Sequence, residues 1–150
     1  MSRDYPERPL VGIGVCVLRD DAVLLIRRGN PPNLGSWALP GGGQELSETA
    51  EACARRELAE ETGLAVGTLY LAAIVDSITT DDTGRVRYHY TIIDYAARWQ
   101  GDPPCAGGDA TEIAWAPFHR LADYELWSEA LRVIAIARAL LNPAPGPAPD

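Results

Sequence analysis

The chain has 150 residues, 47% of them hydrophobic, and a formal net charge of −8 from 21 acidic and 13 basic side chains. That length suits one compact domain burying roughly 70% of its unfolded surface without a metal or disulfide staple, and the acidic balance is the wrong sign for capturing nucleic acid through an overall field. All 13 basic residues are arginine, which excludes the P-loop lysine, the kinase strand lysine and Schiff-base chemistry, so any phosphate falls to arginine or a metal.

In chain order, "PLVGIGVCVL" is a ten-residue apolar run that passes straight into Arg19, Asp20 and Asp21. It reads as a strand, with neither an export signal nor a membrane span expected. With "AVLLIRR" (22–28) it forms a hairpin turned by "RDD", and because both strands are apolar on both alternating faces they are expected at the centre of a sheet covered by helices on each side. "GNPPNLGS" is a loop by its turn residues, "WALP" (37–40) a short strand, and Gly41 to Gly43 a glycine-rich loop leading to a helix. That helix is expected to start at Ser47 or Thr49 as N-cap and to stop at Gly63.

Two further strands, "LYLAAIVDSIT" and "RVRYHYTIIDYAARW", are joined by "TDDTG". After the loop "QGDPPCAGGDA" come a short strand, "EIAWAP", and a second helix from about Leu126 to Leu141, with Trp127, Leu131, Ile134, Ala135 and Leu141 expected to pack on the sheet. Residues 1–142 are read as one domain and the proline-rich residues 143–150 as a disordered tail. Cys16, Cys53 and Cys105 are odd in number, far apart and without a CxxC pair, so a disulfide framework and a thiolate zinc site are not expected and a reducing cytoplasm fits them.

The first helix and its leading loop, Gly41 to Leu64, hold six glutamates against two arginines. At about 100° per residue, Glu57, Glu60 and Glu61 share an arc of about 100° with Ala50, Cys53 and Ala54, so the acids continue the core-facing stripe. Glu51 and Arg55 are expected to pair on a solvated face. Like charges three and four apart repel, a helix C-terminus disfavours negative charge, and Arg56 offsets only part of the cluster. On spacing alone the cluster reads either as a merely glutamate-rich helix of an acidic protein or as a site balanced by a cation, for which a hard divalent ion with oxygen ligands, magnesium before calcium, suits carboxylates that leave room for water and phosphate. The glycines of "LPGGG" let backbone approach a metal or phosphate unobstructed.

The residues Gly42, Glu48, Arg56, Glu57, Leu58, Glu60, Glu61, Gly63 and Leu64 fill every defined position of a 23-residue pattern that resembles the signature of the Nudix hydrolases. The resemblance implies an α/β fold, an α/β/α sandwich with a mixed sheet and a loop-helix-loop signature, and metal-assisted attack of water on a phosphoanhydride joining a nucleoside diphosphate to another group. By matching position, Glu57, Glu60 and Glu61 would bind Mg²⁺ or Mn²⁺, with the Gly41 carbonyl as a further ligand, while Glu48 and Arg56 position the acids. The general base is not fixed by the signature; Asp109 and Glu112 are the candidates, with Glu112 preferred because it opens a strand. Gln44 and Ser47 depart from the commoner aliphatic residue and glycine, which bears on loop shape and substrate fit and leaves the ligand positions intact.

Outside the signature, Arg27 and Arg28 are expected on opposite faces, one of them reaching a phosphate. Trp37 and Gly42 complete the candidate substrate-binding residues, Trp37 reading as core more readily than as a base-stacking platform. Arg85, Arg87 and His89 share one face of their strand and Tyr88 and Tyr90 the other, which reads as an anion site, an aromatic surface or a plain polar edge. "RRGNPPNLGSWALPGG" and "RYHYTIIDY" are similar to the small ADP-ribose pyrophosphatase-like branch, which makes ADP-ribose or a similar conjugate the expected substrate. Nucleoside triphosphates, damaged or in excess, are the alternative, and a nucleotide-sensing module without turnover the third reading. Homodimers are common in that branch, so a second copy of the chain is the one macromolecular partner kept open beside the small-molecule nucleotide.

Overall fold

The computed structural model describes residues 2–142, so the expectation of a disordered tail at 143–150 lies outside the described residues. Strand β1 (Leu10–Arg19) is buried continuously from Gly12 to Leu18, and β2 (Ala22–Arg28) from Ala22 to Ile26. Both faces are covered because the alternation divides them between two cores. Ile13, Val15, Val17 and Leu24 join Cys53, Ala54 and Leu58 under helix α1 (Ala50–Thr62), whereas Cys16, Leu18, Val23 and Leu25 join Val133, Ile134, Ala137 and Leu141 under helix α2 (Ser128–Leu141). Each fully buried aliphatic side chain contributes about 1.5–3 kcal/mol, so these clusters hold the two helices against the sheet.

The hairpin expected over residues 10–28 is mostly opened. Strands β1 and β2 pair only at Leu18 with Val23 and Arg19 with Ala22. Beyond that point β4 (Gly41–Gly43), expected as a loop, pairs antiparallel with Gly12–Gly14 of β1. Glycine has little strand preference, so only this long-range pairing makes the segment a strand. The expected strand at 37–40 shortens to β3 (Trp37–Ala38), paired with β2. Strands β5 (Tyr70–Thr80) and β6 (Val86–Arg98) form a long antiparallel pair, and β6 runs parallel to β1. The last strand, β7 (Ala110–Pro117), pairs with β2. The seven-stranded mixed sheet between two helices is the expected α/β/α sandwich, with order β3-β2-β1-β6-β5, β4 on β1 and β7 on β2.

Helix α1 begins and ends on its predicted caps: Thr49 accepts from the Ala52 amide at 3.0 Å, and Gly63 sits at φ 72°. A 3-10 segment, Phe118–Tyr124, precedes α2. The second helix starts two residues later than expected, and of its expected packing residues only Ile134 and Leu141 are buried. Val133, Ile134, Ala137 and Leu141 face the sheet, while Trp127, Leu131 and Ala135 are exposed.

Candidate functional site

Pairing with β1 places the glycines of β4 beside α1, and the absence of side chains there lets two helix carboxylates reach the backbone. The Gly41 amide donates to Glu61 Oε1 at 2.8 Å. A Cβ on Gly41 would come within 2.0 Å of the Ile13 carbonyl oxygen, and one on Gly42 within 2.4–2.6 Å of the Glu57 carboxylate. Close approach is what these positions require of glycine.

Arg56 ties the glutamates together. Its Nε donates to Glu48 at 2.6 Å and its Nη2 to the same carboxylate at 3.0 Å, a two-point contact, while Nη1 reaches Glu57 at 2.8 Å and Glu60 at 3.3 Å. A further bond from Nη2 to the Gly43 carbonyl, 3.2 Å long, fastens β4. With Arg56 as partner and the Glu45 amide donating to it, the Glu48 carboxyl is held down to about 2. Only a planar, forked cation can serve three carboxylates and a carbonyl together.

The acids differ in surroundings. Glu61 is 4% exposed, and burial pushes its carboxyl up to about 7 against the Gly41 N–H, with Glu57 and Asp109 adding to the rise and Arg28 opposing it. Burial also raises Glu57, with Arg56 opposing and Glu60 and Asp109 adding. Glu60 does not continue the buried stripe as expected; its side chain is 53% exposed.

Asp109 arrives from the loop before β7. That loop is pinned to the end of α1 by the Cys105 amide on the Thr62 carbonyl at 2.9 Å and the Gly107 amide on the Glu61 carbonyl at 3.1 Å. A Cβ on Gly107 would lie 2.7 Å from the Glu60 carbonyl oxygen, so the glycine allows the contact. Asn30 orients Asp109, donating from Nδ2 to Oδ1 at 2.7 Å. Sequence reasoning passed over Asn30; the only local sign was its place in a turn-rich loop.

Glu112 is placed elsewhere. It sits opposite Arg27 in the β2–β7 register and pairs with it at 2.9 Å. Arg27 lies over Trp37, which packs on the α2-side core and meets Tyr124 edge-on at 5.3 Å. Glu112 therefore belongs to the face opposite Glu61, and Trp37 is partly buried against the α2-side core. Arg28 is the arginine on the Glu61 side, with its Nε on the Pro32 carbonyl at 2.8 Å.

Two other expectations change. Arg55 grips the Val66 and Gly67 carbonyls at 2.7 and 2.9 Å rather than Glu51, securing the chain beyond α1. Arg87 pairs with Asp4 at 2.9 Å and Arg85 lies over the Tyr5 ring at 4.2 Å, so these residues dock the N-terminal segment.

Five carboxylates (Glu48, Glu57, Glu60, Glu61 and Asp109) thus share two guanidinium groups, Arg56 and Arg28. Among the described residues no three His, Cys, Asp or Glu side chains already close on one point. The arrangement is an open set of hard oxygen donors, which fits a hydrated divalent cation that keeps several waters better than a dehydrated cage.

The description NUDIX domain matches residues 8–135 of the chain. An ADP-ribose pyrophosphatase of Methanocaldococcus jannaschii is 35% identical over 75% of this chain and 64% of that protein. A putative 8-oxo-dGTP diphosphatase 2 of Mycobacterium tuberculosis is 35% identical over 83% of this chain and 85% of the relative. The chain spans less than two thirds of the archaeal protein's length, and 42% of a putative mutator protein MutT4 of M. tuberculosis. Among solved structures, a MutT NUDIX hydrolase from Burkholderia pseudomallei superposes with a TM-score of 0.76 at 29% identity, covering 86% of this chain and 98% of the other. The match spans every strand of the sheet and the whole loop-helix-loop that carries the acids, and on that extent the chain belongs to the Nudix family.

Proposed function

We propose that the protein hydrolyses a phosphoanhydride bond in a nucleoside diphosphate linked to another group, with ADP-ribose-like substrates favoured and Mg²⁺ or Mn²⁺ required. The observation that carries this reading is that Glu57 and Glu61 from α1 and Asp109 from a separate loop lie near enough for their charges to act on one another, beside the glycine strand and with too few cations in reach. Glu57, Glu60 and Glu61, with the Gly41 carbonyl, would hold the cation, which when bound polarises phosphoryl oxygens and lowers the pKa of water. Asp109, held through Oδ1 by Asn30, takes the general-base role first expected of Glu112, with Oδ2 to accept the proton from water. Glu48 and Arg56 fix the helix acids in place, and Arg28 is positioned to meet a phosphate.

The archaeal relative's name supports the ADP-ribose preference. The mycobacterial relative, matched over most of its length, favours nucleoside triphosphates as the second reading. A cytoplasmic setting belongs to the same proposal, supported by three free cysteines. No described helix is long and apolar enough to cross a membrane.

A panel of ADP-ribose, other nucleoside diphosphate conjugates, dinucleotides, and normal and oxidised nucleoside triphosphates, assayed with Mg²⁺ and Mn²⁺, tests the proposal. Fastest turnover of ADP-ribose, abolished by EDTA, is expected. Activity that survives EDTA sinks the metal assignment, and binding without turnover of any member favours a nucleotide sensor. Asp109→Asn should lower kcat far more than Glu112→Gln; the reverse order would return the base to Glu112.

A further inference from the structure

The opposite end of the sheet carries the reverse charge pattern. Where β1 and β6 end and β2 begins, a cavity of about 540 Å³ is lined by Leu18, Trp99, Phe118 and Leu141 together with Arg19, Arg98 and Arg138. Its volume lies within the range of small-molecule sites. Gly14, beside the glycine strand, is four residues from Leu18 along β1, so the cavity stands roughly 13 Å or more from the acidic cleft.

Three arginines lining one cavity in a chain of net charge −8 need an explanation; Arg19 comes from the α1 side of the sheet and Arg98 and Arg138 from the α2 side. Among the described residues, none of the three forms an ion pair; the ion-paired arginines are Arg27, Arg56, Arg87, Arg120 and Arg132. Asp20 and Asp21 also line the cavity without pairing to these arginines. The guanidinium groups are held by rings instead. Arg19 lies 4.6 Å from the Trp115 centroid and 5.3 Å from that of Trp99, and Arg138 lies 4.0 Å from that of Phe118. Stacking on a ring uses the face of a guanidinium and leaves its in-plane N–H donors directed outward, the edge that forks onto phosphate oxygens. Arg98 donates to the Leu141 carbonyl at the end of α2, which offsets the negative helix terminus that would otherwise repel an anion.

We infer that this cavity is a second ligand site, distinct from the acidic cleft and independent of the hydrolase reading, that takes a small phosphorylated anion by its phosphate oxygens. Free pyrophosphate and the diphosphate of a nucleotide share that chemistry. The aromatic walls give a nucleotide additional surface.

Titration of ADP and, separately, of inorganic pyrophosphate into the full chain in EDTA, followed by calorimetry and by the fluorescence of the tryptophans, tests the site. Binding is expected, weakened about tenfold or more in Arg138→Gln, weakened by added salt, and unchanged in Arg87→Gln, because Arg87 pairs with Asp4 at the far end of β6 from Arg98. ADP binding more tightly than pyrophosphate assigns the site to nucleotides, and equal affinities assign it to the inorganic anion. Arg138→Lys keeps the charge and loses the fork, so it should fall between the parent and the glutamine variant; it also serves as the readout if Arg138→Gln does not fold. Absence of binding by both probes at about 1 mM, or binding that ignores every substitution at Arg138, overturns the inference.

Discussion

Helices α1 and α2 cover the two faces of one sheet, yet they are held by different means. Four residues of α2, Val133, Ile134, Ala137 and Leu141, are buried against the sheet; its N-terminus has no side-chain cap, and Trp127 stands in the cap position. Helix α1 turns Glu61 inward along with Cys53, Ala54, Leu58 and Thr62, and is fastened at its margins by polar contacts. Thr49 caps its start, Gly63 closes its end, Arg55 holds the following chain, and Arg56 ties its acids to β4. A helix that devotes part of its inner stripe to charge gains less from burial, and directional bonds at the edges make up the difference.

The largest expected effect breaks the site and spares the helix. Glu61→Gln should cut metal-dependent turnover by about 10²–10³-fold while circular dichroism and thermal stability hold or improve, because a buried carboxylate is removed. A loss of folding instead would mean that α1 depends on Glu61 structurally. The converse substitution on the other face, Ile134→Ala, should cost about 2–5 kcal/mol in denaturant unfolding with kcat unchanged at temperatures where the chain stays folded. If kcat fell in step, the two faces would not be separable.

Each face also buries a carboxylate. Asp94 on β6 is 6% exposed on the α2 side, and burial pushes it up to about 6, with Arg132 opposing. A carboxyl whose pKa rises on folding binds more protons folded than unfolded between the two values. Stability therefore falls as pH rises from about 4 to about 6, and the loss persists above that window. Asp94→Asn should flatten this part of the stability–pH curve and raise stability at neutral pH by about 1–3 kcal/mol; an unchanged curve would show that Asp94 does not titrate there. The smallest effect sharpens the contrast in fastening: Thr49→Ala should cost about 1 kcal/mol, whereas Trp127→Ala at the equivalent place on α2 should leave the helix start unaffected, both read by hydrogen exchange of the first-turn amides.

Local signals carried the sequence reading furthest. Thr49 and Gly63 mark the ends of α1 because capping is decided within a few residues, and the spacing of Glu57, Glu60 and Glu61 needs only helical geometry. Most of the failures are long-range, although helical spacing also put Glu60 on the buried stripe of α1, where its side chain is 53% exposed. Gly41 to Gly43 have no strand character of their own and become β4 through β1 alone. The face on which Glu112 lies is not legible locally because it depends on register with β2, where a bulge lies between Arg27 and Arg28. In α2, apolar residues surround much of the helix, so periodicity found the helix and could not choose between the Ile134 and Leu131 stripes. Arg55 looked like a partner for Glu51 because spacing cannot show that carbonyls of residues 66 and 67 return beside it.

Two glycines of the signature respond oppositely to mirror-image chemistry. Gly63 disfavours ordinary residues because of its left-handed backbone, although a Cβ there would meet nothing within 4 Å. A D-alanine introduced at that position by chemical ligation should be accepted and should stiffen the helix end. Gly42 has no such backbone; its bar to substitution is the Glu57 carboxylate itself, so an L-alanine there would displace the acid and report, as lost activity in a cooperatively folded chain, how closely a strand without side chains must approach.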